Sequence, residues 1–345
     1  MKKLLIKYTK TFLTIALFET GILKLIRWIR IDILKRPRLT ILCYHRITDK
    51  KFLLAPQCIS ENQFEQQLKF FTKHYDIWAL DKVAKFINGE IKLVKDTLCF
   101  TFDDGYLDNY TSANNLLLKY NCTATFFISS NPLLFGEQYW LDYLSQTLPK
   151  FDKNTVYSLN NLPLELLQLF IDFIDTNNSE KPVIARKIFQ YLNKLTEQQK
   201  HNILDNIKTL LPVTSDKDTE VMSITNAKEM QNNGHIIAAH SINHPRFSNL
   251  THEELKLQIT ESINQLRKND IQVNYFAYPF GKASDIGHQL DFIENLLKET
   301  NIELAFTTID GCVNANDKRY YIPRKVMSPQ TISQINLKLE LHAWK

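Results

Sequence analysis

The sequence predicts an α/β fold built on a mainly parallel sheet. Three observations predict it. Short apolar runs rich in β-favouring residues recur along the chain, amphipathic helical patterns lie between them, and pairs of chemically reactive side chains stand where those runs end. Parallel neighbours need a crossover of helix length, and this spacing supplies it.

The elements follow in order. Arg36, Pro37 and Arg38 close an N-terminal segment, and LTILCYH (39–45) reads as the first buried strand. ISENQFEQQLKFFTKHY (59–75) reads as a helix, with Ser60 as N-cap and Gln63 three residues on. DTLCFTFDD (96–104) is a second strand, YTSANNLLLKYN (110–121) a helix, and TATFFIS (123–129) a third strand. HIIAAH (235–240), VNYFAYPF (273–280) and IELAFTT (302–308) are further strands. THEELKLQITESINQLRK (251–268) is a helix opened by a Thr251–Glu254 capping box. From about 145 to 220 the rhythm breaks: LPLELLQLFIDFID and EKPVIARKIFQYLNKL read as paired amphipathic helices, a helical insertion bordering the site. The division is thus an N-terminal segment, 1–38, and one domain, 39–345.

Of 345 residues, 44% are hydrophobic and 23% charged, a globular composition. The net charge of +5 is modest and, apart from the N-terminus, dispersed, so no nucleic-acid footprint is present. Cys43, Cys58, Cys99, Cys122 and Cys312 form no CxxC pair, which implies free thiols and a cytoplasmic setting. The N-terminal segment has an apolar run, Phe12 to Phe18, interrupted too soon on either side to span a membrane. Lys2 and Lys3 ahead of that run suit a signal peptide, but no clean cleavage site follows. Leu23, Ile26 and Ile29 beside Lys24, Arg27 and Arg30 predict an amphipathic helix that either lies on an anionic membrane or packs on the domain.

Two stretches carry chemistry. In FTFDDGY (100–106), Asp103 and Asp104 end a buried strand; adjacent strand residues point to opposite faces, so the two carboxylates can serve separate purposes. By itself Asp-Asp-Gly also makes an ordinary turn. In HSINHP (240–245), His240 and His244 stand four apart, a spacing that places both on one face of a helical turn. Two histidines and one of the two carboxylates can hold a divalent cation and leave positions open for water, while the other carboxylate takes a proton. The same donor set also suits non-haem iron.

TFDDGY, HSINHP and YPFG, with ILCYHRI before them, resemble the signature motifs of the polysaccharide deacetylases, the NodB-homology domains of carbohydrate esterase family 4. The resemblance runs from about Leu39 to Pro323, interrupted by the helical insertion. It implies a distorted (β/α) barrel and a metal-dependent hydrolase, most often with zinc, removing acetyl groups from N-acetylated sugars of a glycan or a lipid-linked precursor. It implies Asp103 as general base, Asp104, His240 and His244 as metal ligands, and the Phe280 N–H as oxyanion donor. Where the family often has an Arg that orients the base, this chain has Ala277, and Arg324 in YIPRK is the candidate replacement. Expected substrate contacts are His45, Tyr106, Trp140, Asp142 and Tyr278; His342 is a poorly matching candidate for the general acid. The missing Arg keeps open a catalytically impaired carbohydrate-binding protein on the same fold.

Overall fold

The computed structural model describes residues 14–54, 57–212 and 219–341. Its centre is a parallel eight-stranded sheet. The strands are β1 (Leu39–Tyr44), β2 (Asp76–Ile77), β3 (Thr97–Asp103), β4 (Ala124–Ile128), β5 (Ile236–Ala239), β6 (Tyr275–Ala277), β7 (Leu304–Phe306) and β8 (Lys325–Val326). They run in the order β8-β1-β3-β4-β5-β6-β7, with β2 paired to the first residues of β3. The sheet curls back on itself. Ile322, just ahead of β8, bridges Phe306 of β7; its N–H donates to the Ala305 carbonyl at 3.0 Å, and its own carbonyl accepts from Thr307 N–H at 2.9 Å. The fold is therefore the α/β barrel, distorted and incompletely closed, that the sequence predicts.

Every residue of β1 and β3 is buried, as expected for strands covered on both faces. Alternation sends Leu42, Tyr44, Phe100, Phe102 and Phe126 to one core cluster and Leu39, Ile41, Cys99, Phe127 and Phe306 to another. The first cluster contains a ring stack across three neighbouring strands, Tyr44–Phe102 at 5.2 Å and Phe102–Phe126 at 4.8 Å between centroids.

The helices used below are α1 (Ile22–Trp28), α2 (Glu61–His74), α3 (Trp140–Thr147), α4 (Leu164–Asp175), α5 (Lys181–Leu192), α6 (Glu197–Leu210) and α7 (Ile332–Leu341). Helix α2 starts at the expected Ser60–Gln63 capping box. Among the described residues no strand lies between β4 and β5; helices α3 to α6 occupy that interval around their own core of Leu144, Leu166, Phe170, Ile188 and Leu204. Several local expectations change. The strands expected over 235–240, 273–280 and 302–308 are shorter, because their ends turn away to build the site. The helix expected over 110–121 begins as a π turn, Asn109–Asn114. The two-residue strands β2 and β8 carry too little pattern to be read from sequence.

The N-terminal segment also differs from expectation. Residues 14–19 are helical, Gly21 breaks the helix with a φ of 76°, and α1 continues through a π turn, Ile29–Ile33. The arginines expected on its basic outer face point inward instead. Arg30 is buried, with Nη1 2.7 Å from Asp96 Oδ1 and Nη2 3.1 Å from Glu340 Oε2. Arg27 Nε lies 2.5 Å from Glu340 Oε1, and its Nη2 reaches Tyr75 Oη and Asn336 Oδ1. Asp96 immediately precedes β3 and Glu340 lies on α7, so two chain-distant carboxylates gather both arginines at the foot of the barrel. The rest of the segment, 1–13, lies outside the described residues.

Arg30→Ala leaves Asp96 and Glu340 buried with only Arg27 between them. Breaking one side of a buried ion cluster costs about 3–5 kcal/mol, so denaturant unfolding at neutral pH should show a loss of that order. A loss within the range of an exposed pair, about 0–1 kcal/mol, would contradict the clamp.

Candidate active site

The motif residues meet at the C-terminal ends of β1, β3, β5 and β6, the end at which α/β barrels place their sites. Asp103 is the last residue of β3 and is buried. Arg324, fully buried in the segment closing the barrel, grips both of its oxygens at 2.7 Å. The guanidinium is itself fixed by the Thr307 carbonyl at 2.9 Å and Thr101 Oγ1 at 3.2 Å. Burial alone would raise the Asp103 pKa, but the facing Arg324 charge outweighs it and holds the carboxyl below its ordinary value. The structure thus pairs Asp103 with Arg324, the residue expected to stand in where the chain has Ala277.

Asp104 departs from the strand with a φ of 75°, left-handed backbone that is strained for a residue with a side chain. The Tyr139 hydroxyl holds that turn, donating to the Asp104 carbonyl at 2.6 Å. Gly105 follows at φ 69°, where a Cβ would sit 2.7 Å from Ile128 Cγ2. The turn carries the Asp104 carboxylate away from Arg324 and toward the imidazoles. Its Oδ1 lies 3.5 Å from His240 Nε2 and 3.4 Å from His244 Nε2.

His240 and His244 do not share a helical turn, contrary to the simplest reading of their spacing. They converge through a loop with positive φ at Ser241 (68°) and His244 (56°). Ser241 Oγ accepts from His244 N–H at 3.0 Å, and Gln258 Oε1 accepts from the N–H groups of Ile242 and Asn243 at 3.0 and 3.2 Å. The His240 Nδ1–H donates to the Ala277 carbonyl at 2.8 Å, which leaves Nε2 with its lone pair toward Asp104. Burial draws the His244 imidazole down to about 4, against the opposing pull of Asp104.

These three residues fit a metal ion. Their donor atoms lie within 4.8 Å of one another, and Asp104 Oδ1 is buried without a hydrogen-bond partner, an arrangement costly unless something cationic completes it. Asp104 is nonetheless held ionised: burial would raise its pKa, but the imidazoles lower it well below the usual carboxylate range. Cys43, His45 and Asp103 are also close enough to share an ion, but Arg324 already occupies both Asp103 oxygens and its charge opposes a cation there.

A cavity of about 910 Å³ opens over the site, with Asp103, Asp104, His240, His244, Phe280 and His45 in its wall. Phe280, at φ 60°, is held by Thr308, whose Oγ1 donates to the Phe280 carbonyl at 2.7 Å and whose N–H donates to the Gly281 carbonyl at 2.9 Å. Among the described residues the Phe280 N–H donates to no protein acceptor. His45 follows β1, with a buried Nδ1 that has no partner.

Four expected substrate contacts are corrected. Tyr278 is buried in the core, its hydroxyl on the Tyr320 carbonyl at 2.7 Å. Tyr106 and Asp142 are buried against each other at 2.9 Å, beneath the Arg46 guanidinium, 4.2 Å from the Tyr106 ring centroid. Burial raises the Asp142 carboxyl to about 7, with the Tyr106 hydroxyl opposing. Trp140 stacks on Phe189 at 5.3 Å and lines a different cavity, against Lys200. In their place the insertion contributes Leu141, Pro182, Arg186, Phe189 and Gln190 to the wall. Nothing local in the sequence marks these, or Tyr139 and Gln258, as site residues. His342 lies outside the described residues.

Together these observations define a distorted α/β-barrel protein with an Asp-His-His donor set beside a carboxylate locked by arginine. The polysaccharide deacetylase family profile matches residues 91–143 and 213–291. The two matched stretches carry Asp103, Asp104, His240 and His244 and flank the helical insertion. A Bacillus subtilis relative, YxkH, whose name is that of a polysaccharide deacetylase, is 31% identical over 102 residues; the match covers 29% of this chain and 34% of the relative, about a third of its length. Among solved structures, the Streptococcus pyogenes deacetylase PplD in complex with acetate superimposes with a TM-score of 0.56 at 16% identity, covering 88% of this chain and 97% of its own. IcaB from Ammonifex degensii gives 0.57 at 17% identity, covering 90% and 98%. At these identities the two superpositions speak for the fold.

Arg324→Met strands the buried Asp103 charge, and stability at neutral pH should fall by about 3–5 kcal/mol. Adding Asp103→Asn removes the stranded charge, so the double variant should regain much of that loss in the same denaturation assay. Simple additivity of the two losses would refute the pairing.

Proposed function

We propose that the protein is a metal-dependent hydrolase that removes acetyl groups from N-acetylated sugars of a glycan. The observation that carries this reading is the division of labour at the end of β3. Asp103 has both oxygens engaged by Arg324, whereas the neighbouring Asp104 turns an unpartnered oxygen toward two imidazoles. The match to the family profile and the cavity's size support a sugar substrate, and the half-buried Phe189 in the wall supplies an aromatic side chain there.

In this reading Asp104, His240 and His244 hold a divalent cation, with zinc the expected ion. When bound, the cation lowers the pKa of water and polarises the acetyl carbonyl. Asp103, kept ionised and oriented by Arg324, accepts the proton of the attacking water as its oxygen bonds to the acetyl carbon. The Phe280 N–H donates to the oxyanion that forms. His45 gives a proton to the sugar nitrogen as the C–N bond breaks, and acetate and the free amine leave. His45 takes the role of general acid because it shares the cavity wall with Asp103 and its nearest ring nitrogen lies within 4.8 Å of an Asp103 oxygen.

Acetate release from an N-acetylglucosamine oligomer measures this. Chelation should abolish it and a divalent metal restore it; release that survives full metal removal would sink the proposal. The two aspartates should fail differently. Asp103→Asn should retain metal and lose about 10²–10⁴-fold in rate, without rescue by added metal. Asp104→Asn should lose metal and recover part of its activity in excess metal. Equal metal loss in both would reverse the assignment. His45→Gln should also cost about 10²–10⁴-fold, and should lose least on an activated ester, whose leaving group needs no proton. A uniform loss on amide and ester would make His45 a binding residue instead.

A further inference from the structure

We propose that the N-terminal helical segment docks the protein onto an anionic membrane surface, its inner side clamped to the barrel and its outer side laid on the lipid. Ile22, Leu25, Ile29 and Ile33 are exposed, and their spacings of three, four and four residues set them along one helical face; Ile15, before the break at Gly21, is exposed too. Trp28 (52% exposed) and Leu34 (47%) widen the stripe. Of the sixteen large hydrophobic side chains exposed among the described residues, these make seven, within twenty residues of chain. Scattered exposed apolar residues need no explanation, but a contiguous stripe does.

The segment cannot roll its stripe inward. Leu23 and Arg30 on its other side are buried, and Arg27 and Arg30 are bound to Asp96 and Glu340. Charge decides what covers the stripe. Beside it lies a cleft of about 450 Å³ lined by Lys24, Arg27, Trp28, Lys73, His74 and Lys95, against Asp32 and Asp76. The preceding residues, 1–13, add Lys2, Lys3, Lys7 and Lys10 and no acid. A second copy would bring the same basic surface against this one, whereas an anionic headgroup layer complements it. Trp28 at the edge of the stripe suits the level of the headgroups. No helix among the described residues is long and apolar enough to cross a membrane, so the contact lies on the surface.

Co-sedimentation of the full chain with vesicles tests this without any catalytic readout. Binding is expected to phosphatidylglycerol–phosphatidylcholine vesicles, weakened by raised salt, and much less to phosphatidylcholine alone. Leu25→Asp/Ile29→Asp should weaken binding at least about tenfold, since two exposed aliphatic contacts with lipid are lost. Both positions are exposed, so the melting temperature and acetate release from a soluble oligomer should stay unchanged. Lys24→Glu/Lys73→Glu should remove the preference for anionic lipid. Unaltered binding by the Asp variant, equal binding to neutral vesicles, or a dimer that the Asp variant dissolves while neither protein binds vesicles would each overturn the proposal.

Discussion

The bond between Arg324 and Asp103 is the interaction on which the site and the closure of the barrel both depend. A fully buried guanidinium is tolerable only with its charge matched and its donors used, and here Asp103, the Thr307 carbonyl and Thr101 Oγ1 take them. These partners lie on β3 and just beyond β7, while Arg324 itself leads into β8. One side chain therefore draws together the two sides of a sheet that few backbone bonds close. It also keeps Asp103 ionised in a setting that would otherwise neutralise it. In the proposed function stability and reactivity would draw on the same pair, with Arg324 supplying the charge that Ala277 does not.

The strand that bears Asp103 is held at its other end by similar means. Asp96 precedes β3 and binds Arg30, from the N-terminal segment, as Asp103 ends it and binds Arg324, from near the C-terminus. The central strand is thus fixed at foot and head by ion pairs to chain-distant arginines. Between them lies a largely apolar ladder whose side chains carry little directional information, apart from Thr101, whose Oγ1 donates to the Leu42 carbonyl at 2.8 Å. Directed charge pairs at each end supply register that hydrophobic burial cannot.

The legible parts of the sequence were those in which local pattern and chemistry coincide. Asp103, Asp104, His240 and His244 stand beside strand signals, and their meeting in one cavity follows from parallel strands ending at one end of the barrel. Arg324 could be named as a candidate because the family resemblance left an Arg missing at Ala277. Aromatic residues in and near the motifs were less readable. Tyr278 and Tyr106 lie just beyond β6 and β3, where the backbone leaves strand geometry, and no local pattern tells that their rings turn into the core. Arg186 and Phe189 were invisible for the opposite reason: they sit on an amphipathic helix whose sequence reports its own core contacts, not the cavity it overhangs. The inward turn of Arg27 and Arg30 was hidden because a basic helical face reads the same whether its partner is lipid or a carboxylate 66 to 313 residues away.

The two ends of β3 also bear on what can reach the site. The docking stripe and basic cleft lie at the foot, near Asp96, and the cavity opens at the head, beyond Asp103. Seven residues of strand separate them, about 20 Å at some 3.3 Å per residue. A domain resting on lipid by its foot holds its cavity away from the headgroups by at least the height of the sheet. A single sugar on a short lipid carrier in the same bilayer could not climb that distance, whereas a glycan several sugars long could arrive from the aqueous side. The proposed membrane contact would then hold the domain near a surface carrying such chains, while substrate choice would rest on the cavity wall to which the insertion contributes. The site and the proposed docking face lie at opposite ends of one strand, so a change in lipid preference at one would leave the geometry at Asp103 untouched.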